Sequence, residues 1–172
     1  MNIGILILRA IVGLTIAAHG AQKTFGSFGG SGIAGTAGLL ESLGFRPGRL
    51  YAHLLGIAEL TAGVLMALGL FTPAAALVII GVMTAATVAV HLKNGFFVTS
   101  NGFEHPLVVA AAAAAIAFAG PGRYSLDALL DLQQSGVAVG LWTTLAGAAV
   151  GLVVAALRYL PDKVRVRKVQ TR

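Results

Sequence analysis

Cysteine is absent from this sequence of 172 residues. Without thiols, the chain by itself can form no disulfide, no thiolate metal site, no iron–sulfur cluster and no dithiol redox relay. Any redox chemistry in which the protein takes part therefore has to use a bound cofactor or a partner protein.

Charged side chains are also scarce. Asp, Glu, Lys and Arg make up only 10% of the residues, whereas 57% of the residues are hydrophobic. A soluble domain has about 25% charged and about 45–50% apolar residues. This composition excludes a water-soluble globular domain and predicts an integral membrane protein in contact with the lipid bilayer.

Apolar residues are concentrated in five segments. Backbone groups within lipid must bond to one another, and no segment shows the alternation of a strand, so each segment is predicted to be a helix. The fourth is short for a bilayer that takes about 20 helical residues to cross, so we expect its helix to begin earlier, near Phe103. The segments are residues 3–21, 50–71, 74–92, 106–119 and 136–160.

Two shorter amphipathic stretches are predicted to be helices at a membrane surface. One covers residues 33–43. The other covers residues 125–132, where the hydroxyl group of Ser125 can cap the first turn.

Basic residues are distributed unevenly along an up-and-down membrane path. One side has Lys23, Arg46, Arg49, Lys93 and the C-terminal tail, and the other side has Arg123. The excess of Lys and Arg in cytoplasmic loops then predicts a cytoplasmic C-terminus and, with five spans, an outer N-terminus. The basic tail favours a membrane anchor over binding to nucleic acid; its basic residues are Lys163, Arg165, Arg167, Lys168 and Arg172.

A glycine-rich stretch after the first segment contains Gly30-Ser31-Gly32-Ile33-Ala34-Gly35, which spells the G-x-G-x-x-G pattern of dinucleotide-binding loops. That pattern needs a strand before it, a helix after it and an acidic residue about 20 residues further on. Here a membrane helix precedes the glycines, Glu41 is too close and Glu59 lies within a membrane span. We therefore interpret the stretch as a tightly packed connection that binds no nucleotide.

Two charged residues fall within predicted spans, Arg9 in the first and Glu59 in the second. A charge at the centre of a membrane helix costs on the order of 2.5–3.5 kcal/mol on insertion scales. Their depths differ by about 7 Å at 1.5 Å per residue, a gap that an arginine side chain can bridge. We predict an intramembrane Arg9–Glu59 ion pair, which either specifies the fold or takes part in ligand binding or proton conduction.

The four histidines are predicted to share one membrane face. His19 and His91 end the first and third segments, and His53 and His105 begin the second and fourth. Neutral imidazole can hydrogen-bond to a quinone carbonyl and can exchange protons near neutral pH. The alternatives are a functional polar site at this face and ordinary histidines at the depth of the lipid head groups. For a functional site, the predicted ligand-binding residues are His19, Gln22, Lys23, His53, His91, Glu104 and His105. The spacing predicts no metal site and identifies no catalytic residue.

The fifth segment has small residues at regular intervals. Gly136, Gly140, Gly147 and Gly151 are spaced as in membrane helices that pack closely on another helix. The neighbouring helix can belong to the same chain or to a second copy in a homo-oligomer.

Several motifs taken together resemble the DoxX family of small bacterial membrane proteins. They are His19-Gly20-Ala21-Gln22-Lys23, Phe28-Gly29-Gly30, Ala58-Glu59-Leu60-Thr61-Ala62-Gly63, Gly102-Phe103-Glu104-His105-Pro106 and Gly120-Pro121-Gly122-Arg123-Tyr124-Ser125-Leu126-Asp127. The resemblance implies an all-α membrane protein with a four-helix bundle over residues 1–132 in the bacterial cytoplasmic membrane. Residues 133–160 add a fifth transmembrane helix, and residues 161–172 add a basic cytoplasmic tail.

The resemblance also implies a class of function. Relatives include a subunit of a thiosulfate:quinone oxidoreductase and proteins linked to thiol and oxidative-stress homeostasis. We expect a membrane subunit of a quinone-linked redox complex that has no covalent cofactor, binds a quinone head group and works with other redox proteins. The alternatives are a non-catalytic anchor for soluble redox enzymes and a small-molecule or proton pathway.

Overall fold

The computed structural model of the chain describes residues 2–159. Within them the regular structure is helical, and all five apolar segments form helices as predicted. The α-helices are α1 (Asn2–Phe25), α2 (Gly32–Ser42), α3 (Gly48–Leu68), α4 (Thr72–Ala86), α5 (Glu104–Ala119), α6 (Leu126–Leu129) and α7 (Val137–Ala156).

The third and fifth spans end in irregular turns that line the cavity described below. Helix α4 continues into a π-helical turn, Thr87–His91, and a 3₁₀ turn, Leu92–Asn94. Helix α5 begins at Glu104, two residues before the apolar segment, which confirms the expected early start. A 3₁₀ turn, Leu157–Tyr159, follows α7.

The two short helices lie where the sequence predicts them, although α6 is shorter. The Ser125 hydroxyl accepts a hydrogen bond from the Ala128 amide at 3.1 Å, as a cap should. The prediction that the helix continues to Leu132 is wrong. Asp131 has a positive φ of 55° and the Leu132 amide bonds back to the Asp127 carbonyl, which ends the helix.

Large apolar side chains cover the outside of the helices. Along α1, Ile3, Ile7, Ile11 and Leu14 recur at helical spacing, each more than half exposed. Four helices, including their irregular ends, are long and apolar enough to span a membrane, and α5 is a shorter apolar helix. An apolar outer surface on helices of this length requires a lipid environment. The chain is an all-α multi-span membrane protein.

Helices α1 and α3 cross so closely that only glycine fits at the contact. They run antiparallel, with Gly13 against Gly63 and Gly20 against Gly56. A Cβ atom at Gly13 or Gly20 would clash with the backbone of α3. Small residues allow such approach between membrane helices. The sequence predicts this kind of packing only for the fifth segment, so this crossing is a finding of the structure.

Helix α7, the fifth span, packs on α4 and α5 of the same chain. Gly140 lies against the Phe118 ring, Gly147 against Leu77 and Ile80, and Gly151 against the carbonyl of Gly81. The surface proposed for a homo-oligomer is therefore mostly an internal one, because the chain's own helices cover these glycines. The remaining member, Gly136, precedes the helix and is exposed.

Candidate functional site

The residues predicted to bind a ligand lie at one end of the bundle, where α1 and α4 end and α3 and α5 begin. We call it the basic end, and it carries Lys23, Arg46, Arg49, Lys93 and Arg158. The opposite end, where α1 begins, carries Arg123, whose amide bonds to the Asn2 side chain at 3.1 Å. The two ends thus differ in charge as the sequence predicts, while the direction of insertion stays a prediction.

A partly buried ion pair joins α1 to α3 near the basic end. Lys23 Nζ donates to Glu59 Oε2 at 2.6 Å, with the Glu59 side chain 4% exposed and the Lys23 side chain 26% exposed. Lys23 can thus neutralise a carboxylate that would otherwise be isolated in an apolar surrounding. The sequence predicts both residues as polar site members but does not pair them.

The predicted Arg9–Glu59 pair is wrong, and the register of α1 against α3 explains why. Gly20 packs beside Leu60, which brings Glu59 level with the last turns of α1. Arg9 lies beside Gly69, at the other end of α3. Ten residues of helix separate Glu59 from Gly69, about 15 Å along the axis, which is too far for one side chain.

Arg9 instead binds the segment that follows α5. Its guanidinium donates to the carbonyl of Pro121 at 3.0 Å and to the carbonyl of Tyr124 at 2.5 Å, and the side chain is 1% exposed. A proton or solute pathway gated by an Arg9–Glu59 pair therefore has no structural basis here. Arg9 fixes the loop that caps the bundle.

Asp127 completes this cap, and its role was not predicted. One carboxylate oxygen accepts from the Phe71 amide at 2.8 Å, and the other accepts from the Thr72 amide at 2.9 Å and the Thr72 hydroxyl at 2.7 Å. Asp127 is 1% exposed and lies at the N-terminus of α4, where negative charge is favoured. The only signal in the sequence is its place in the Gly120–Asp127 motif.

We expect Asp127→Asn to lower the free energy of unfolding by about 1.5–3 kcal/mol, the range for hydrogen bonds to a charged group. The amide cannot accept from all three donors and places its own N–H groups among them. Chemical unfolding in detergent, followed by circular dichroism, measures the change. Asp131→Asn is the matched control, since Asp131 is exposed; equal losses in the two variants would contradict the role of Asp127.

Two of the four histidines come together. The rings of His19 on α1 and His105 on α5 have centroids 5.8 Å apart, inclined by 51°. His19 is partly buried, His105 is exposed, and Lys23 follows His19 by one helical turn. His19, His105, Lys23 and Glu59 form a cluster that we call the histidine–lysine cluster.

The other predicted ligand-binding residues lie outside this cluster. His91 Nδ1 is 2.8 Å from the Asn101 carbonyl, and Glu104 accepts from the Val98 amide at 2.9 Å, so both side chains bond to the loop between α4 and α5. The Gln22 amide donates to the Phe28 carbonyl at 3.3 Å. His53 is exposed on α3. Within residues 2–159 no three His, Asp or Glu side chains converge as a metal site would require.

The glycine-rich stretch behaves as a connection between helices. Gly30 packs on the backbone of Gln22, where a Cβ atom would clash. A helix precedes the stretch and another follows it, without the strand that a nucleotide loop needs. The basic tail, residues 161–172, lies outside the described residues, so its role as a cytoplasmic anchor stays a prediction.

Comparison with known proteins agrees with the motifs. The DoxX family model matches residues 4–92, which cover nearly all of α1, the whole of α2 and α3, and most of the α4 span. The chain belongs to the DoxX family. Within this DoxX match lie His19, Lys23, Glu59 and Arg9, whereas His105 and Asp127 lie beyond it.

A related protein extends the similarity past the family match. An uncharacterized membrane protein of Mycobacterium tuberculosis is 29% identical over 141 residues, which cover 76% of this chain and 83% of the relative. No solved structure matches the chain significantly. The comparisons identify a DoxX-family membrane protein without naming a ligand.

Proposed function

We propose that this DoxX-family protein is the membrane subunit of a quinone-linked redox complex and that the histidine–lysine cluster binds the quinone head group. The observation that supports the proposal most directly is the His19–His105 ring pair, one helical turn from the partly buried Lys23–Glu59 ion pair. An ionisable side chain buried within a membrane span, such as that of Glu59, is expensive in a membrane protein and is therefore expected to have a function.

The residues of the cluster suit a quinone. A quinone head group has carbonyl oxygens that accept hydrogen bonds, and imidazole and ammonium groups supply donors. His105 is exposed, and the exposed Leu107 and Val108 follow it on α5, so a molecule dissolved in the lipid can reach the ring from the side. The quinone would supply the electron-carrying chemistry when bound.

The protein side chains would orient the ligand and handle protons. Imidazole can donate or accept a proton near neutral pH, which quinone reduction requires. Lys23 is held by Glu59 and is still 26% exposed, so it can keep its ion pair while it presents a positive charge to an oxygen. Electrons would come from the cofactor of a partner protein, since the chain has no cysteine for a dithiol or iron–sulfur relay.

The test is binding of short-chain ubiquinone and menaquinone analogues to the full chain in nanodiscs, measured by equilibrium dialysis. We expect His19→Ala and His105→Ala each to weaken binding by up to about tenfold, the effect of a lost hydrogen bond. His53→Ala is the matched control, because His53 is an exposed histidine near the same end of the bundle. No binding to either analogue, or an equal loss in the control, would refute the proposal.

A further inference from the structure

A cavity of about 640 Å³ opens at the basic end, away from the histidine–lysine cluster. It is an open cavity, bordered by the end of α2, the irregular end of the α4 span and the turn after α7. Its polar wall consists of Ser42, Lys93, Arg158 and Tyr159, and its apolar wall includes Leu43 and Val88. None of the described residues that line it is acidic.

Arg158 is held in place by hydrogen bonds that do not use all of its N–H donors. Its guanidinium donates to the Ala89 carbonyl at 3.1 Å and to the Tyr159 hydroxyl at 2.6 Å, and it lies 4.7 Å from the centre of the Tyr159 ring. Its buried Nε atom has no hydrogen-bond partner among residues 2–159. A buried donor of this kind is unfavourable unless something binds to it.

The position and chemistry of the cavity select a class of ligand. Lys93 and Arg158 lie at the ends of membrane spans, at the depth of lipid head groups. The fork of N–H groups on arginine matches the oxygens of a phosphate, and lysine adds a point charge. Glu41 precedes Ser42 of the cavity wall in the sequence, but it does not line the cavity. Its carboxylate accepts a hydrogen bond from the Gly48 amide at 3.0 Å.

We infer that this cavity binds a phosphate ester and that an anionic phospholipid supplies it. The polar wall would hold the phosphate between Lys93 and Arg158, and the apolar wall would contact the start of an acyl chain. Basic pockets between membrane helices commonly bind anionic head groups in this way. A soluble phosphate ester has the same polar group but gains nothing from the apolar wall.

Native mass spectrometry of the full chain in detergent, titrated with phosphatidylglycerol, tests the inference. We expect Lys93→Gln to reduce the bound lipid about fivefold, the contribution of one basic residue near an anionic surface. Arg49→Gln removes a charge from an exposed position at the same end but outside the cavity, and it should have no effect. Arg158→Lys keeps the charge, loses the fork, and should also weaken binding.

Competition with glycerol 3-phosphate and inorganic phosphate identifies the source of the phosphate. Lack of competition at millimolar concentration is the expected result and assigns the site to a lipid. Effective competition by glycerol 3-phosphate would keep the phosphate site but overturn the lipid assignment. Equal lipid loss in Lys93→Gln and Arg49→Gln would overturn the inference altogether, because it would indicate general attraction to a basic surface.

Discussion

Lys23→Met is expected to lower the free energy of unfolding by about 3–5 kcal/mol, the cost of removing one partner of a buried ion pair. The variant leaves the Glu59 carboxylate without its ion-pair partner in a site where it is 4% exposed. Glu59→Leu should cost less, because Lys23 is 26% exposed and can extend its ammonium group toward water.

The double variant Lys23→Met/Glu59→Leu separates the ion pair from the packing around it. Replacement of both charges by apolar groups is often neutral or stabilising, so the double variant should be more stable than Lys23→Met alone. Unfolding in detergent gives all the free energies for this double-mutant cycle. Arg49→Met is the control, since Arg49 is an exposed basic residue that lies outside both the ion pair and the cavity. Additive effects of the two single substitutions would show that the pair contributes nothing.

Gly63→Ala, at the crossing of α1 and α3, is expected to cause the second large loss of stability. A Cβ atom at Gly63 would clash with the Ala17 backbone and the Gly13 carbonyl, and neither obstacle can rotate away. Overpacking costs about 1–3 kcal/mol and occasionally more, and a backbone obstacle places Gly63→Ala near the upper end, about 3 kcal/mol. The same unfolding assay measures the loss.

Gly4→Ala is the control for Gly63→Ala. Gly4 also lies in a membrane helix, but nothing is within 4 Å of the position that its Cβ atom would occupy. Because alanine favours helix more than glycine does, this variant should be neutral or slightly more stable. If both variants behaved alike, the helices would have to approach less closely than the structure shows. If Gly63→Ala pushes α1 and α3 apart, it should also move Lys23 away from Glu59, since the same two helices carry the ion pair.

The helices themselves could be predicted from the sequence, and the pairing of side chains could not. The apolar segments, the short α2 helix and the Ser125 cap follow from local composition, and the structure contains all of them. Glu59 was correctly identified as a buried acid that needs a partner, but the partner was wrong. Depth along a helix does not fix the register between two helices; the glycines at the crossing do, and they bring Lys23 to Glu59.

In the candidate site, too, the positions of residues along their helices could be predicted and their contacts could not. Sequence spacing placed the histidines near helix ends on one side, because the helices alternate in direction. It could not show that His19 meets His105 while His91 bonds to the loop at Asn101. Those differences depend on how each helix is rotated about its axis, which is set by packing against neighbours.

By itself, the sequence determined that this is a multi-span helical membrane protein of the DoxX family, because apolar length and family motifs are local properties of a chain. The tertiary structure alone decided that Lys23 neutralises Glu59, that Arg9 and Asp127 hold the cap, and that Lys93 and Arg158 share a cavity. Such contacts join residues far apart in sequence, and only the register and rotation of packed helices bring them together.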